Sequence, residues 1–287
     1  MLPERLNFAI ARHCIVACRG CYAFFGGGEP RIAPFARSAA AFARLGLGKM
    51  TLSGGDPLTL SDLPAWLGAF RGAGFHTIKL DTVGVGLLTP ERQSAPTPEA
   101  LLALVDELAI PLDGWSNASA ALFRRGRSDL HDRTLDLLAH LDAATGAARL
   151  IINTVVHRGN VAELHRLQPL LAPLKHVVRW NLFQYTATDQ ARAGANADFA
   201  ISDAVFLAAA RNFFDCFGPV ALPCSNATAQ FLSRADRLGH YLLVNSDGVA
   251  WLPTADGTTH NLGSVFGREA EVLVEWARAV RGLWVPA

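Results

Sequence analysis

Residues 6 to 184 alternate between short apolar runs of strand character and longer stretches of helical periodicity, and this alternation constrains the fold more than any other feature. The strand candidates are Leu6–Ala11, Lys49–Leu52, Phe75–Val83, Leu108–Leu112, Arg149–Val156 and His176–Gln184. Helical patterns lie between them at Ile32–Leu45, Leu60–Phe70, Thr97–Glu107, Leu130–Ala144 and Val161–Leu171. The third opens on a Thr97 cap followed by Pro98. Strands and helices at this spacing pair in parallel through right-handed crossovers. Six such units predict an α/β fold, a partial (βα)6 barrel rather than a full eight-unit one. Chemistry in such folds sits at the C-terminal ends of strands, here marked by Asp56, Asp81, Thr82, Asp113, Asn153, Gln184 and Tyr185.

The pattern changes after residue 190. Ser202–Phe214 reads as a helix, Tyr241–Asn245 and Val249–Leu252 as a hairpin across Ser246-Asp247-Gly248, and Glu269–Val280 as a last helix. The expected organisation is a core barrel over 1–190 and a short C-terminal extension over 191–287 packing on it. With 51% hydrophobic residues in 287, the chain can bury a large core. No apolar run reaches 18 residues and the N-terminus lacks a signal-peptide pattern, so no membrane partner is expected and the expected location is cytoplasmic. A net charge of +1 provides no electrostatic basis for a nucleic-acid partner.

The chain has five cysteines, three of them crowded into Cys14-Ile-Val-Ala-Cys18-Arg-Gly-Cys21. Such crowding favours metal binding over disulfides. Three thiolates can hold a [4Fe–4S] cube with one iron left open. A zinc site, with His13 as fourth ligand, and a set of inert thiols are the competing readings. Cys216 and Cys224 stand alone and read as packed thiols. A second motif, Ser53-Gly54-Gly55-Asp56-Pro57, follows the second strand, and its glycines allow a close backbone approach.

CxxxCxxC followed by an aromatic residue, here Tyr22, resembles the signature of the radical S-adenosylmethionine (SAM) superfamily over roughly residues 6–190. The resemblance implies a [4Fe–4S] cluster on Cys14, Cys18 and Cys21, with SAM chelating the open iron. It implies an external electron donor such as flavodoxin or ferredoxin. It also implies an enzyme that makes a 5′-deoxyadenosyl radical and abstracts a substrate hydrogen. SAM contacts carried over are Tyr22, Ser53, Gly54, Gly55 and Asp56, with Asp81 and Thr82 at the ribose, Arg125 at the carboxylate, and Asn153.

The stretch Val178-Arg179-Trp180-Asn181-Leu182-Phe183-Gln184 is similar to the sixth strand of the viperin-like branch, as are Ile152–Asn160, Ile201-Ser-Asp203 and Tyr241–Gly248. That branch has a lysine where this chain has Asn181, and lacks the Gly26-Gly27-Gly28 run. The similarity implies a small-molecule substrate without a triphosphate: a nucleoside or sugar derivative of natural-product biosynthesis, as for cytosylglucuronate decarboxylase. Glu29, Arg179, Asn181 and Tyr185 are the expected substrate contacts, with Arg179 and Asn181 on one strand face. A viperin-like nucleotide dehydratase and a non-catalytic iron–sulfur or zinc protein remain as alternatives.

Overall fold

The computed structural model describes residues 2–21, 29–88, 96–144, 148–189, 194–254 and 257–283. Six parallel strands run in sequence order: β1 (Arg5–Ala11), β2 (Lys49–Gly54), β3 (Thr77–Asp81), β4 (Glu107–Pro111), β5 (Arg149–Val156) and β6 (Val177–Gln184). β7 (Thr228–Leu232) continues the sheet in parallel beyond β6. On the opposite flank β8 (Tyr241–Val244) pairs in parallel with β1. It is followed by the antiparallel strands β9 (Val249–Pro253) and β10 (Thr259–Ser264). Residues after 190 thus supply both flanks of one sheet, ten strands wide among the described residues.

Strand alternation divides this sheet into two chemistries. Leu6, Phe8 and Ile10 of β1 join the core under the helices. The Phe8 ring lies 5.0 Å from Phe35 of helix Ile32–Arg44 and 5.8 Å from Phe70 of helix Leu63–Gly72. Met50, Leu52, Ile78, Leu80, Leu108, Ile110, Leu150, Ile152, Trp180 and Leu182 repeat this on the next five strands. The opposite face carries Arg5, Asn7, Ser53, Lys79, Asp81, Glu107, Asn153, Arg179 and Asn181. Arg5 donates to Glu107 at 2.9 Å, although two strands separate β1 from β4. Only a sheet curled toward this face brings them together. A partial barrel with a polar interior results.

Helix Asn117–Phe123, strand β7 and strand β10 are absent from the sequence expectation. The helix opens on a capping box in which Ser116 and Ser119 exchange hydrogen bonds. Val161–Leu171, expected as one helix, is a 3-10 turn over Val161–Arg166 and a short helix over Gln168–Leu171.

Candidate active site

The chain leaves β1 into the loop that carries Cys14, Cys18 and Cys21. Its backbone is held from two sides. Ala17 and Arg19 donate to the carbonyls of Arg125 and Phe123, at 2.6 and 2.9 Å. Gly55 and Asp56 donate to the carbonyls of Ala11 and His13, both at 2.7 Å. Side chains at Gly54 and Gly55 would meet the Ala11 and His13 carbonyl oxygens at 2.3 and 2.1 Å. The glycine turn after β2 is therefore built against the cysteine loop, with Gly54 also at φ +128°.

Gly20 serves the same loop from below. A Cβ there would meet the rings of Phe123 and Tyr185, each at 2.6 Å. Those rings, with Phe199 and His157, form an aromatic wall under the loop. Arg19 pairs with Asp198 and lies over the Phe199 ring, tying the wall's far side to the loop.

The three thiols share one electrostatic environment. Burial pushes the Cys14 thiol up to about 11; the Val16 N–H opposes this, while Asp56, Cys18 and Cys21 add to it. Among the described residues no three His, Cys, Asp or Glu side chains are already drawn together into a group that could hold a metal ion. His13 is largely exposed and lies 3.6 Å from Glu29, and Cys216 and Cys224, expected as packed thiols, are exposed instead.

Arg124 is the basic group at the cysteines. Its guanidinium donates to Cys18 Sγ at 3.3 Å. Asp113, at the exit of β4, pairs with its Nε. Asp113 is in turn held by the Val155 N–H at 2.6 Å and, through its carbonyl, by Asn160 at 2.9 Å. Burial works against the Arg124 charge, but Asp113 and then Cys18 raise its pKa further. Arg125, the expected carboxylate contact, is exposed and contributes only its backbone here. The two adjacent arginines follow a helix end, and the sequence does not tell which one turns inward.

Other expected contacts are redistributed by the fold. Asp56 is buried, and its carboxylate accepts from the Leu58 N–H at 3.0 Å, Thr82 Oγ1 at 2.6 Å and the Val83 N–H at 3.2 Å. Asp56 and Thr82 thus brace the end of β2 against the end of β3. Tyr185 is buried in the aromatic wall and donates to Asn196 at 2.9 Å, rather than facing an open pocket. Burial, with Cys21 nearby, pushes its hydroxyl up to about 12. Arg179 does not stand at the mouth. It is the third residue of β6, placed low in the barrel, 3.8 Å from Glu107 at the first position of β4. Tyr22 and the glycine run lie outside the described residues.

Four expected positions do line the barrel interior. Ser53 donates to Asn7 at 2.6 Å, Lys79 pairs with Asp81 at 2.8 Å, and Asn181 donates to Asn153 at 3.0 Å. Glu29 sits at the rim, exposed, 3.6 Å from Arg12.

The frame of the site is a curled, mostly parallel sheet with a three-cysteine loop leaving its first strand. Comparison with known proteins agrees at the level of the fold. The chain is similar over 91% of its length to SuiB of Streptococcus suis bound to S-adenosylmethionine, with a TM-score of 0.65, 14% identity and 63% of SuiB covered. It is similar over 95% of its length to anSMEcpe with bound AdoMet and Cp18Cys peptide, with a TM-score of 0.65, 14% identity and 80% of that chain covered. In sequence, 130 residues (45% of the chain) are 32% identical to a PqqA peptide cyclase of Streptomyces rochei. The chain spans about a third (33%) of that curated relative. No protein-family model matches the chain.

Of the cofactors the sequence resemblance implies, the residues present fit a [4Fe–4S] cluster by the chemistry of their donor set. The donor set is three cysteine sulfurs on one short loop, soft ligands of the kind that hold iron–sulfur clusters once deprotonated.

Proposed function

We propose that this chain is a radical SAM enzyme, with Cys14, Cys18 and Cys21 holding a [4Fe–4S] cluster. The observation that carries the reading is the three-cysteine loop itself. It is clamped between the glycine turn of β2 and the helix end and segment of residues 123–125, at the C-terminal mouth of a curled parallel sheet. When bound, the cluster supplies the electron that splits SAM into methionine and a 5′-deoxyadenosyl radical. The chain's own residues hold the loop in place, wall it off from below with Phe123, Tyr185 and Phe199, and present a polar barrel interior to the substrate. A small donor such as flavodoxin or ferredoxin supplies the electron. Among the described residues no helix is long and apolar enough to cross a membrane.

The substrate in this reading is a small polar molecule, a nucleoside or sugar derivative. The inward Asn153–Asn181 pair and the Lys79–Asp81 pair support it, because polar groups inside a barrel need polar partners. The viperin-like sequence of β6 points the same way. A second reading is a peptide substrate, favoured by the sequence match to the PqqA peptide cyclase.

Anaerobic reconstitution should load about four irons per chain. The Cys14→Ala, Cys18→Ala and Cys21→Ala variants should lose both iron and SAM cleavage, whereas stoichiometric zinc without iron uptake would refute the reading. Deuterated nucleosides and deuterated peptides, supplied in turn, decide the substrate. Label appearing in 5′-deoxyadenosine from the nucleoside supports the first reading, and label from the peptide alone the second.

A further inference from the structure

Arg124 has no role in the reading above, yet it is the cation placed directly on a cysteine sulfur. Its guanidinium donates to Cys18 Sγ at 3.3 Å, and its side chain is only 16% exposed. It is not free to swing away. Asp113, with a side chain 1% exposed, grips its Nε. Asp113 is itself fixed by the Val155 N–H and by Asn160. The Arg124 guanidinium also lies 5.7 Å from the centre of the Phe123 ring. A chain of contacts thus runs from the end of β5, through the exit of β4, to one specific sulfur of the loop.

From this geometry we infer that Arg124 sets the reduction potential of the cluster by donating a hydrogen bond to the Cys18 sulfur, with Asp113 as the residue that positions it. The inference rests on the reading of Cys18 as a cluster ligand. Its physical basis is electrostatic. Reduction adds one electron, and so one negative charge, to the cluster and its sulfurs. A fixed cation and an N–H aimed at a ligand sulfur stabilise that added charge and make the cluster easier to reduce. The contact is partly buried, so water screens it weakly. Arg125, one residue on and exposed, bears the same charge and lacks the contact.

The test is a potentiometric titration of the reconstituted full-length protein with dithionite and mediator dyes, without SAM, read by the EPR signal of the reduced cluster. Iron content, measured first, reports the cluster assignment separately from the inference. Arg124→Gln should lower the equilibrium constant for reduction at least tenfold, about 59 mV for one electron. Arg124→Lys, which keeps the charge without the planar fork, should fall between wild type and Arg124→Gln. Arg125→Gln, with the same change in net charge, should stay at the wild-type potential. A wild-type potential in Arg124→Gln overturns the inference, and so does an equal shift in Arg125→Gln. If Arg124→Gln assembles no cluster, the Arg124→Lys potential decides: a value at wild type refutes the role.

Discussion

Arg124 and Arg125 are chemically identical neighbours, and the fold separates them completely. One is drawn to Asp113 and Cys18, and the other lies in solvent. His157 shows the same dependence on placement. It is fully buried, stacks on Phe123 with ring centres 5.0 Å apart, and accepts from the Gly159 N–H through Nδ1. That acceptor role requires the neutral ring. Burial is the main cause that lowers its pKa to about 4; Asp113 opposes the shift and Arg124 adds to it. A base whose folded pKa lies below its unfolded value stabilises the fold above the unfolded pKa, near 6.5. It loses that contribution as pH falls toward 4, because the unfolded chain takes up the proton first. We expect urea-unfolding stability to drop by roughly 3 kcal/mol at most from this group across that window. The His157→Phe variant should lack this part of the pH dependence, and identical profiles for the two proteins would count against a neutral buried ring.

Elements meet at this site through short side chains at strand ends. Asp56 caps the 3-10 turn Pro57–Thr59 and, through Thr82 and Val83, locks the exit of β2 to that of β3. Just before that turn, the Gly55 and Asp56 N–H groups hold the start of the cysteine loop by two backbone hydrogen bonds, to Ala11 and His13. Asp56→Ala leaves three donors without their acceptor in a buried place, a loss of about 3 kcal/mol or more. Thr82→Val removes one of the three and also the acceptor of the Gly84 N–H, and should cost about 2 kcal/mol. Thermal or urea unfolding of the apo-protein checks both. If Asp56→Ala kept full stability while SAM binding failed, Asp56 would be a ligand residue and not a brace. Gln184 ties the end of β6 outward in a similar way, donating to Asp203 at 2.8 Å and accepting from the Arg234 N–H at 3.0 Å.

At the scale of the whole molecule, the lower barrel is organised around one acid. Glu107 is buried, and three arginines from three other strands approach it: Arg5 at 2.9 Å, Arg179 at 3.8 Å and Arg149 at 4.0 Å. Removing the acid strands at least two partly desolvated cations. We therefore expect Glu107→Gln to destabilise the fold by about 3–5 kcal/mol. Arg149 is 60% exposed, and Arg149→Gln should cost less than about 1 kcal/mol. Equal losses in the two variants, measured by urea unfolding, would show that the charge cluster does not close the barrel.

The sequence by itself determined the parallel strand–helix core and the cysteine loop. Both are local signals: apolar period along a segment, and three thiols within eight residues. Strands Arg149–Val156 and Val177–Gln184 and the final hairpin were legible for the same reason. Helix Asn117–Phe123 was missed because seven residues carry too little period, and the one signal that could have found it was the Ser116 and Ser119 capping pair. Strand β7 pairs with a neighbour more than forty residues back, as Arg179 opposite Thr228 shows, and a short strand carries no record of its partner. The site was decided by tertiary structure. Whether Asp56 meets a ligand or Thr82, whether Arg124 or Arg125 reaches a sulfur, and whether Arg179 stands at the mouth or low in the barrel depend on curling and register. Curling sets which polar groups face each other across the interior, and that relation exists only once the strands are side by side.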